Sequence, residues 1–267
     1  MASSRNNCDD LFDLPAFSIA KLRSEIAAQL PVARRKRLFI PGLSAHVIQR
    51  GNNRVAIFGD QADYEVFLAF LRTAARRHRV AVHGYALMTN HFHLIVTPAD
   101  ALALPQTMKE VGGRYVQYYN RKHQRIGTLW NGRYRDLPID DERYWLTCLR
   151  YVEQNPLRAQ MVRSPEAYPW SSYRVHAMGE DPDWLELHQV YLALGRDSQE
   201  RQAAYRALFR TPVSEAETVQ QREWWRQHGV RRGSDPGPDP RLTPSSSPIA
   251  LSSPAAAAST LLSRSRS

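Results

Sequence analysis

The stretch ALMTNHFHLIV at residues 86–96 decides how this chain folds. Side chains alternate across a β-strand, so His91 and His93 share one face of a strand here, and Phe92 lies on the other. Apolar residues continue on both faces, which predicts a strand that is covered on both sides. Two imidazoles side by side at this spacing provide half of a metal site. The alternative is a pair of partly exposed strand histidines, because His-x-His alone is a weak signal.

A second segment, residues 140–156, is predicted to form a helix. It opens with acidic residues, which suit the positive end of the helix dipole, and its apolar residues recur at helical spacing. Pro156 disfavours helical geometry at the residue before it, so we expect the helix to end near Asn155. Tyr151 and Asn155 share one face of its last turn, where a phenol and an amide oxygen can approach the two imidazoles. The alternative is a packed tyrosine and a capping asparagine.

Several blocks of sequence occur together in one order, at residues 44–54, 88–93, 118–121, 129–134, 151–159 and 169–173. Jointly they resemble the REP-associated tyrosine transposases, a branch of the single-tyrosine HUH transposases. Block 88–93 is similar to the metal-binding strand of that family, and block 151–159 is similar to its nucleophile helix. The resemblance covers residues 37–176, and it rests on the joint pattern because no single block is specific.

The order of predicted elements, β-α-β-β-α followed by a connecting strand and the helix with Tyr151, indicates the α+β class. The resemblance implies a central antiparallel sheet with helices on one face, similar to an RRM or ferredoxin-like HUH endonuclease core. We expect four regions, which are an N-terminal appendage with a short amphipathic helix (1–36), the catalytic domain (37–180), a helical extension (181–230) and a disordered tail rich in Pro, Ser and Ala (231–267). Helices are expected at 200–208 and 215–228.

The resemblance also implies a reaction, namely cleavage and rejoining of single-stranded DNA at hairpin-forming repeats. Tyr151 would attack a phosphodiester, form a 5′-phosphotyrosine link and release a 3′-hydroxyl that can later reverse the step. His91, His93 and Asn155 would hold a divalent metal, Mg²⁺ or Mn²⁺, because mixed nitrogen and oxygen ligands suit these ions. Gln154 is the alternative third ligand, although it lies about 100° around the helix from Asn155.

Other tyrosines compete for the role of nucleophile, namely Tyr115, Tyr118, Tyr119, Tyr134 and Tyr144. Tyr119 is the strongest rival because an asparagine follows it directly. Four residues beyond Tyr119 stands His123, which is not an amide, so Tyr119 does not reproduce the pairing of Tyr151 with Asn155. We therefore rank Tyr151 first.

The net charge of +10, from 36 Lys and Arg against 26 Asp and Glu, favours a nucleic acid partner. Basic clusters lie at residues 34–37, 76–79, 114–125 and 133–135, and aromatic residues accompany the last two. Arginine contacts to phosphate and base stacking on aromatic rings are what single-stranded or hairpin DNA requires. The candidate DNA-binding residues are Arg114, Tyr118, Arg121, Lys122, Trp130 and Arg133, the last by resemblance only. The alternative for any one cluster is a solvated basic face.

Two cysteines cannot form a disulfide framework and fit a reducing cytoplasm, and Cys148 is expected to pack in the core. No apolar run of about 18 residues and no signal-peptide core occur, so we expect a cytoplasmic, nucleoid-associated protein without a membrane partner. The resemblance and the long chain beyond Tyr151 favour a monomer over a dimer that exchanges the nucleophile helix.

Two other function classes remain open. The first is a sequence-specific DNA-binding protein that has kept this fold and lost cleavage, which the basic and aromatic residues fit equally well. The second is a zinc hydrolase built on His91 and His93, but the sequence offers no obvious further ligand at zinc spacing.

Overall fold

A computed structural model of the protein describes residues 39–181 and 183–210, without the side chain of Arg143. The strands are β1 (Ser44–Arg50), β2 (Val80–Met88), β3 (His91–Pro98) and β4 (Arg135–Ile139). The helices are α1 (Gln61–Arg77), α2 (Ala103–Lys122), α3 (Glu142–Arg158), α4 (Tyr173–Met178), α5 (Gln189–Leu192) and α6 (Ser198–Leu208), with short 3₁₀ turns at Asn52–Arg54 and Pro165–Ala167. The predicted helix at 200–208 is α6. The predicted appendage at 1–36, the helix at 215–228 and the tail at 231–267 lie outside the described residues.

The four strands form one antiparallel sheet in the order β2-β3-β1-β4. With α1 between β1 and β2 and α2 between β3 and β4, this is the βαββαβ arrangement of ferredoxin-like folds. The predicted α+β class and the central antiparallel sheet are confirmed.

Helices lie on both faces of the sheet, whereas the resemblance implied one face. The helices α1 and α2 pack on the face that presents Val47, Phe92 and Leu94. The opposite face presents Ile48, Ala86 and Ile95 and is covered by α3, and we call it the α3 face. The reason lies in β3 itself, because apolar side chains on both sides of a strand need a cover on both sides.

His91 is the first residue of β3 because the hairpin that joins β2 to β3 is short. Met88 and His91 are paired across the ladder, which leaves Thr89 and Asn90 as a two-residue turn. The Gly51 amide donates to the Asn90 carbonyl at 2.8 Å, and the Ile57 amide donates to the Thr89 carbonyl at 2.8 Å. These bonds hold the turn against the end of β1, so both histidines have a defined position.

The helix α3 runs to Arg158 and not to the predicted end near Asn155, so Pro156 lies inside it. A proline has no amide hydrogen and leaves the carbonyl four residues earlier without its usual donor. The Asn155 side chain compensates, since its Nδ2 donates to the Val152 carbonyl at 3.3 Å and to the Tyr151 carbonyl at 2.9 Å. The helix therefore continues for one further turn.

Two features bring α3 close to the sheet. A side chain at Gly84 would meet Leu149 Cδ1 at 2.3 Å, so the approach of α3 to β2 requires glycine there. The buried Glu153 carboxylate accepts hydrogen bonds from Ser172 Oγ at 2.5 Å, His176 Nδ1 at 2.7 Å and Tyr205 Oη at 2.6 Å. Three donors satisfy a carboxylate that would otherwise be costly to bury, and they tie α3 to α4 and α6.

Cys148 packs in the core of the α3 face, as predicted, and burial raises the pKa of its thiol to about 12. No helix in residues 39–181 or 183–210 is both long enough and apolar enough to cross a membrane.

Candidate active site

His91 and His93 lie buried on the α3 face, and each has a partner at its Nδ1 atom. His91 Nδ1 is 2.6 Å from Asn90 Oδ1, and His93 Nδ1 is 2.9 Å from Nε2 of His46, which lies on β1. The Nε2 atoms of His91 and His93 are buried and have no hydrogen-bond partner in the part of the chain that the structure describes. The two rings are 5.0 Å apart between centroids and nearly perpendicular. Two buried lone-pair positions of this kind suit a metal ion.

Burial keeps all three imidazoles neutral. It lowers the pKa of His46 and of His91 to about 3, and the positive charge of Arg50 lowers the pKa of His91 further. The pKa of His93 falls well below its usual value, first through burial and then through the charges of its neighbours. A neutral imidazole is the form that binds a metal. Because both side chains are buried, the alternative of two partly exposed strand histidines is not what the structure contains.

The α3 helix brings Tyr151 to the histidines. The Tyr151 ring centroid is 6.2 Å from that of His93 and 6.4 Å from that of His46, in both cases edge to face. The Arg158 guanidinium lies over the Tyr151 ring, 4.7 Å from its centroid. Positions 151, 155 and 158 follow one face of the helix, so the phenol, an amide and a cation reach the same end of the sheet.

Asn155 and Gln154 are both buried beside this site. The Asn155 amide nitrogen donates within its own helix, so the predicted role as a metal ligand falls to its oxygen. Among the described residues, no group of three or more His, Cys, Asp or Glu side chains is arranged to hold a metal ion. The predicted donor set, two imidazole nitrogens and an amide oxygen, matches the preferences of Mn²⁺ or Mg²⁺ better than those of a closed zinc site.

The tyrosine rivals on α2 point elsewhere. Tyr115 Oη donates to the Ile57 carbonyl at 2.6 Å, and Tyr119 Oη donates to the Ala56 carbonyl at 3.0 Å, both on the opposite side of the sheet from His93. Tyr118 Oη donates to Asp63 Oδ1 at 3.1 Å. These three hydroxyls have structural partners, and Tyr151 is the tyrosine that lies against the imidazoles.

The candidate DNA-binding residues differ in how far they take part in contacts within the fold. Three of them hold the fold together as well: Lys122 Nζ lies 2.8 Å from Asp63 Oδ1, Tyr118 shares that carboxylate, and Trp130 Nε1 donates to the Gly112 carbonyl at 3.1 Å. The Arg114 guanidinium packs over Phe70 and pairs with Glu110. Arg121 and Arg133 are exposed, and within the described ranges neither pairs with a carboxylate. These two arginines are the ones available to a phosphate backbone.

The sequence analysis missed four residues of the site, which are His46, Arg50, Asn90 and Arg158. One of them, Arg158, could have been found from spacing. Arg158 is seven residues beyond Tyr151, two helical turns along the same face. His46 and Arg50 are four apart on β1 and therefore share a face, but only the pairing of β1 with β3 shows that this is the face of His93.

Residues 40–155 match the family model of IS200-like transposases. The match begins just before β1 and ends within α3, at Asn155. Over these residues the chain is similar to the IS200-like transposases. This finding supports, at the level of the family, the resemblance to the REP-associated tyrosine transposases that the motifs indicated.

Among solved structures, the chain is similar to a REP-associated tyrosine transposase bound to a REP hairpin, at 14% identity and a TM-score of 0.45 over 59% of this chain and 93% of that one. It is also similar to a protein described as a transposase of Deinococcus radiodurans R1, at 19% identity and a TM-score of 0.32 over 46% and 97% of the two chains. A third match is the tRNA(His) guanylyltransferase of Saccharomyces cerevisiae, at 10% identity and a TM-score of 0.33 over 64% and 80%. No curated protein matches the chain. TM-scores at this level add nothing to the assignment of a reaction.

Proposed function

We propose that this protein is a metal-dependent endonuclease and strand transferase for single-stranded DNA, with Tyr151 as the nucleophile. One observation carries the proposal: the Tyr151 ring lies against His93, and the buried Nε2 atoms of His91 and His93 have no hydrogen-bond partner among the described residues. A phenol beside a metal-binding pair of imidazoles is the arrangement that a tyrosine transposase uses. The family match at residues 40–155 supports a DNA-processing role for the same region.

The reaction is an exchange of one phosphate ester for another. The Tyr151 oxygen forms a bond to phosphorus while the bond from phosphorus to the 3′ oxygen breaks, and the phenolic proton ends on the released 3′-hydroxyl. The reverse step, by the same or another 3′-hydroxyl, rejoins the DNA and frees the tyrosine. Because the link stores the phosphate covalently, no external energy source is required.

A phenol with an ordinary pKa near 10 is a weak nucleophile at neutral pH, so the site must favour its anion and the charge on the phosphate. His91, His93 and the Asn155 oxygen would hold Mn²⁺ or Mg²⁺, which supplies neutralising charge to a non-bridging phosphate oxygen. The protein contributes charge as well. Arg158 lies over the Tyr151 ring, and the charge of Arg50 acts on both imidazoles. One arginine beside the nucleophile and a second that acts on the imidazoles suit an anionic substrate.

The proposed substrate is a single strand that folds into a hairpin. The motif resemblance indicates a REP-like repeat, and the exposed Arg121 and Arg133 offer contacts to its backbone. We place this activity on chromosomal DNA in the cytoplasm. Equal affinity for hairpin and unstructured strands of matched length would count against the hairpin.

A covalent trapping experiment tests the reaction. The full chain, incubated with a single-stranded hairpin oligonucleotide and Mn²⁺, is expected to form a protein–DNA adduct that resists denaturation. Tyr151→Phe should abolish the adduct. Tyr119→Phe, which removes a hydroxyl bonded to Ala56 on the opposite side of the sheet, should keep it. An adduct of undiminished yield in Tyr151→Phe would overturn the assignment of the nucleophile.

A second candidate function is DNA binding without cleavage. The observation in its favour is that Tyr151 is only 3% exposed and His93 is fully buried, so the groups that cover them must move before a phosphodiester can reach them. Strong hairpin binding with no covalent adduct in Mg²⁺ or in Mn²⁺ would decide for this function.

We further propose that the site is completed within one chain. The α3 helix packs on its own sheet at Gly84, and Glu153 ties it to α4 and α6. Exchange of α3 between two chains would require breaking these contacts. A mixture of His91→Ala and Tyr151→Phe proteins tests this point, since helix exchange would rebuild one intact site per dimer and restore the adduct. We expect the mixture to remain inactive.

A further inference from the structure

His46 lies on β1, where it is paired in register with Ile95, and its side chain points to the α3 face beside His93. His46 Nε2 is 2.9 Å from His93 Nδ1, and the two rings are stacked with centroids 5.1 Å apart. Both residues are buried. The resemblance assigned no role to His46, yet this residue is hydrogen-bonded to a proposed metal ligand.

The direction of this hydrogen bond determines what His93 can do. If His93 Nδ1 carries the proton, it donates to His46 Nε2, and His93 Nε2 keeps a lone pair. If His46 donates instead, the proton of His93 lies on Nε2, where it would be a buried donor without a partner among the described residues. A metal ion bound at Nε2 needs the lone pair there, so the proposed metal site requires the first arrangement.

The same logic applies to His91 without ambiguity. Its Nδ1 faces Asn90 Oδ1 at 2.6 Å, and an amide oxygen can only accept. The Asn90 amide nitrogen donates to the Arg54 carbonyl at 3.4 Å, which keeps the oxygen turned toward His91. His91 therefore carries its proton on Nδ1 and has its lone pair on Nε2. Both histidines then carry the proton on Nδ1, although the acceptor is an amide oxygen for His91 and an imidazole nitrogen for His93.

We infer that His46 is a positioning residue, which accepts the Nδ1 proton of His93 and thereby makes Nε2 the ligand atom of that histidine. This inference rests on the proposed function, because it needs a metal at His91 and His93. Hydrogen bonds of this type fix the tautomer and ring orientation of metal-binding histidines. His46 also contacts the Tyr151 ring, so one buried side chain lies against both the ligand and the nucleophile.

Metal affinity and tautomer can be measured without any reaction. Mn²⁺ binding to the full chain is followed by electron paramagnetic resonance for wild type, His46→Leu, His46→Gln and His83→Leu. His83 is the matched control, since it is a buried histidine on the same sheet that bonds to Glu186 and Thr97. We expect His46→Leu to weaken Mn²⁺ binding by about 10- to 100-fold. His46→Gln, which offers an acceptor oxygen, should restore most of the affinity, and His83→Leu should leave it unchanged.

Nitrogen-15 NMR of the histidine rings in the metal-free wild type provides the second measurement. We expect His91 and His93 both to carry the proton on Nδ1. A proton on Nε2 of His93 would overturn the inference, even if a variant of His46 failed to fold.

A His91→Ala variant separates failure of this inference from failure of the proposed function. If His91→Ala abolishes Mn²⁺ binding while His46→Leu binds as wild type does, His46 has no positioning role and the metal site stands. If Mn²⁺ binds equally well to His91→Ala, the metal site itself is wrong, and the inference falls with it.

Discussion

Buried histidines lie at both ends of the α3 face. His91 and His93 lie at the end with the proposed site, which we call the near end, and His83 lies at the opposite, far end. The two ends differ in whether the last nitrogen atom of each series of hydrogen bonds has a partner. At the far end, Trp145 Nε1 donates to Ser44 Oγ at 3.2 Å, Ser44 and Thr97 hydroxyls are 2.8 Å apart, and Thr97 Oγ1 is 2.8 Å from His83 Nε2. This series of hydrogen bonds ends at His83 Nδ1, which donates to the Glu186 carbonyl at 2.6 Å. Every donor there has an acceptor.

At the near end, the hydrogen bonds run from His91 and His93 toward Asn90 and His46 and leave Nε2 of both proposed ligands without a partner in the described structure. Burial lowers the pKa of histidines at both ends, to about 4 for His83 and to about 3 for His91. A lowered pKa therefore does not distinguish the two clusters. Unpartnered lone pairs distinguish them, because buried polar atoms normally find a partner unless a ligand provides it.

The largest expected effect is on covalent adduct formation. His91→Ala removes one of the two unpartnered imidazoles and should reduce the adduct with hairpin DNA and Mn²⁺ to background. His83→Leu should keep the adduct, although it lowers the free energy of unfolding by about 1–3 kcal/mol because Glu186 and Thr97 lose their partner. Adduct yield on a denaturing gel, together with thermal unfolding of both variants, measures this contrast. If folded His83→Leu also lost the adduct, the difference between the two histidine clusters would not explain adduct formation.

The pH dependence of stability is the next expected effect. A histidine whose pKa is lowered by folding binds fewer protons in the folded state than in the unfolded state, so its contribution is present above the ordinary pKa of 6.5 and is lost as the pH falls toward its folded value. For His83 that window extends from about 6.5 down to about 4. Urea unfolding from pH 7 to pH 4.5 should show a steep fall in stability for wild type and a shallower fall for His83→Leu. Equal slopes would mean that the pKa of His83 is the same in the folded and the unfolded protein.

Much of the fold could be predicted from the sequence because local patterns determine it. Alternation predicted the strand that contains His91 and His93, and helical spacing predicted α3 and α6. The end of α3 was misplaced by one turn, because the rule about residues before proline does not include an asparagine side chain that replaces the missing donor. The sheet was expected to have helices on one face, but apolar residues on both sides of β3 led α3 to cover the other.

Only part of the candidate site could be predicted from the sequence, and the reason is different. Tyr151, His91 and His93 belong to short-range patterns that a single chain displays. His46 joins them through the register of β1 with β3, and register depends on tertiary pairing that spacing alone does not reveal. The pairing of Lys122 and Tyr118 with Asp63 is likewise a long-range contact, so a basic and aromatic cluster read as a DNA surface proves to be partly structural.

A smaller effect is expected at Gly84, where α3 approaches β2. Gly84→Ala places a methyl group 2.3 Å from Leu149 Cδ1, and Leu149 is fully buried, so this side chain or the helix that carries it must shift. We expect a loss of about 1–3 kcal/mol in the free energy of unfolding, with reduced adduct formation because Tyr151 lies on the displaced helix. Gly113→Ala on α2 is the matched control, since nothing lies within 4 Å of its new methyl group. That variant should be as stable as wild type or more stable.

The smallest expected effect concerns the charged surface beside each end of the α3 face. Arg133 is exposed just before β4, next to the near end, whereas Arg79 lies at the far end and pairs with Asp100 at 3.0 Å. If DNA approaches the unpartnered imidazoles, Arg133→Ala should weaken hairpin binding several-fold and reduce the slope of log affinity against log salt by about 1. Arg79→Ala should change neither quantity, because its charge is already matched by a carboxylate. Fluorescence anisotropy over a range of salt concentrations measures both, and a larger loss in Arg79→Ala than in Arg133→Ala would place the DNA at the wrong end of the sheet for Tyr151 to reach it.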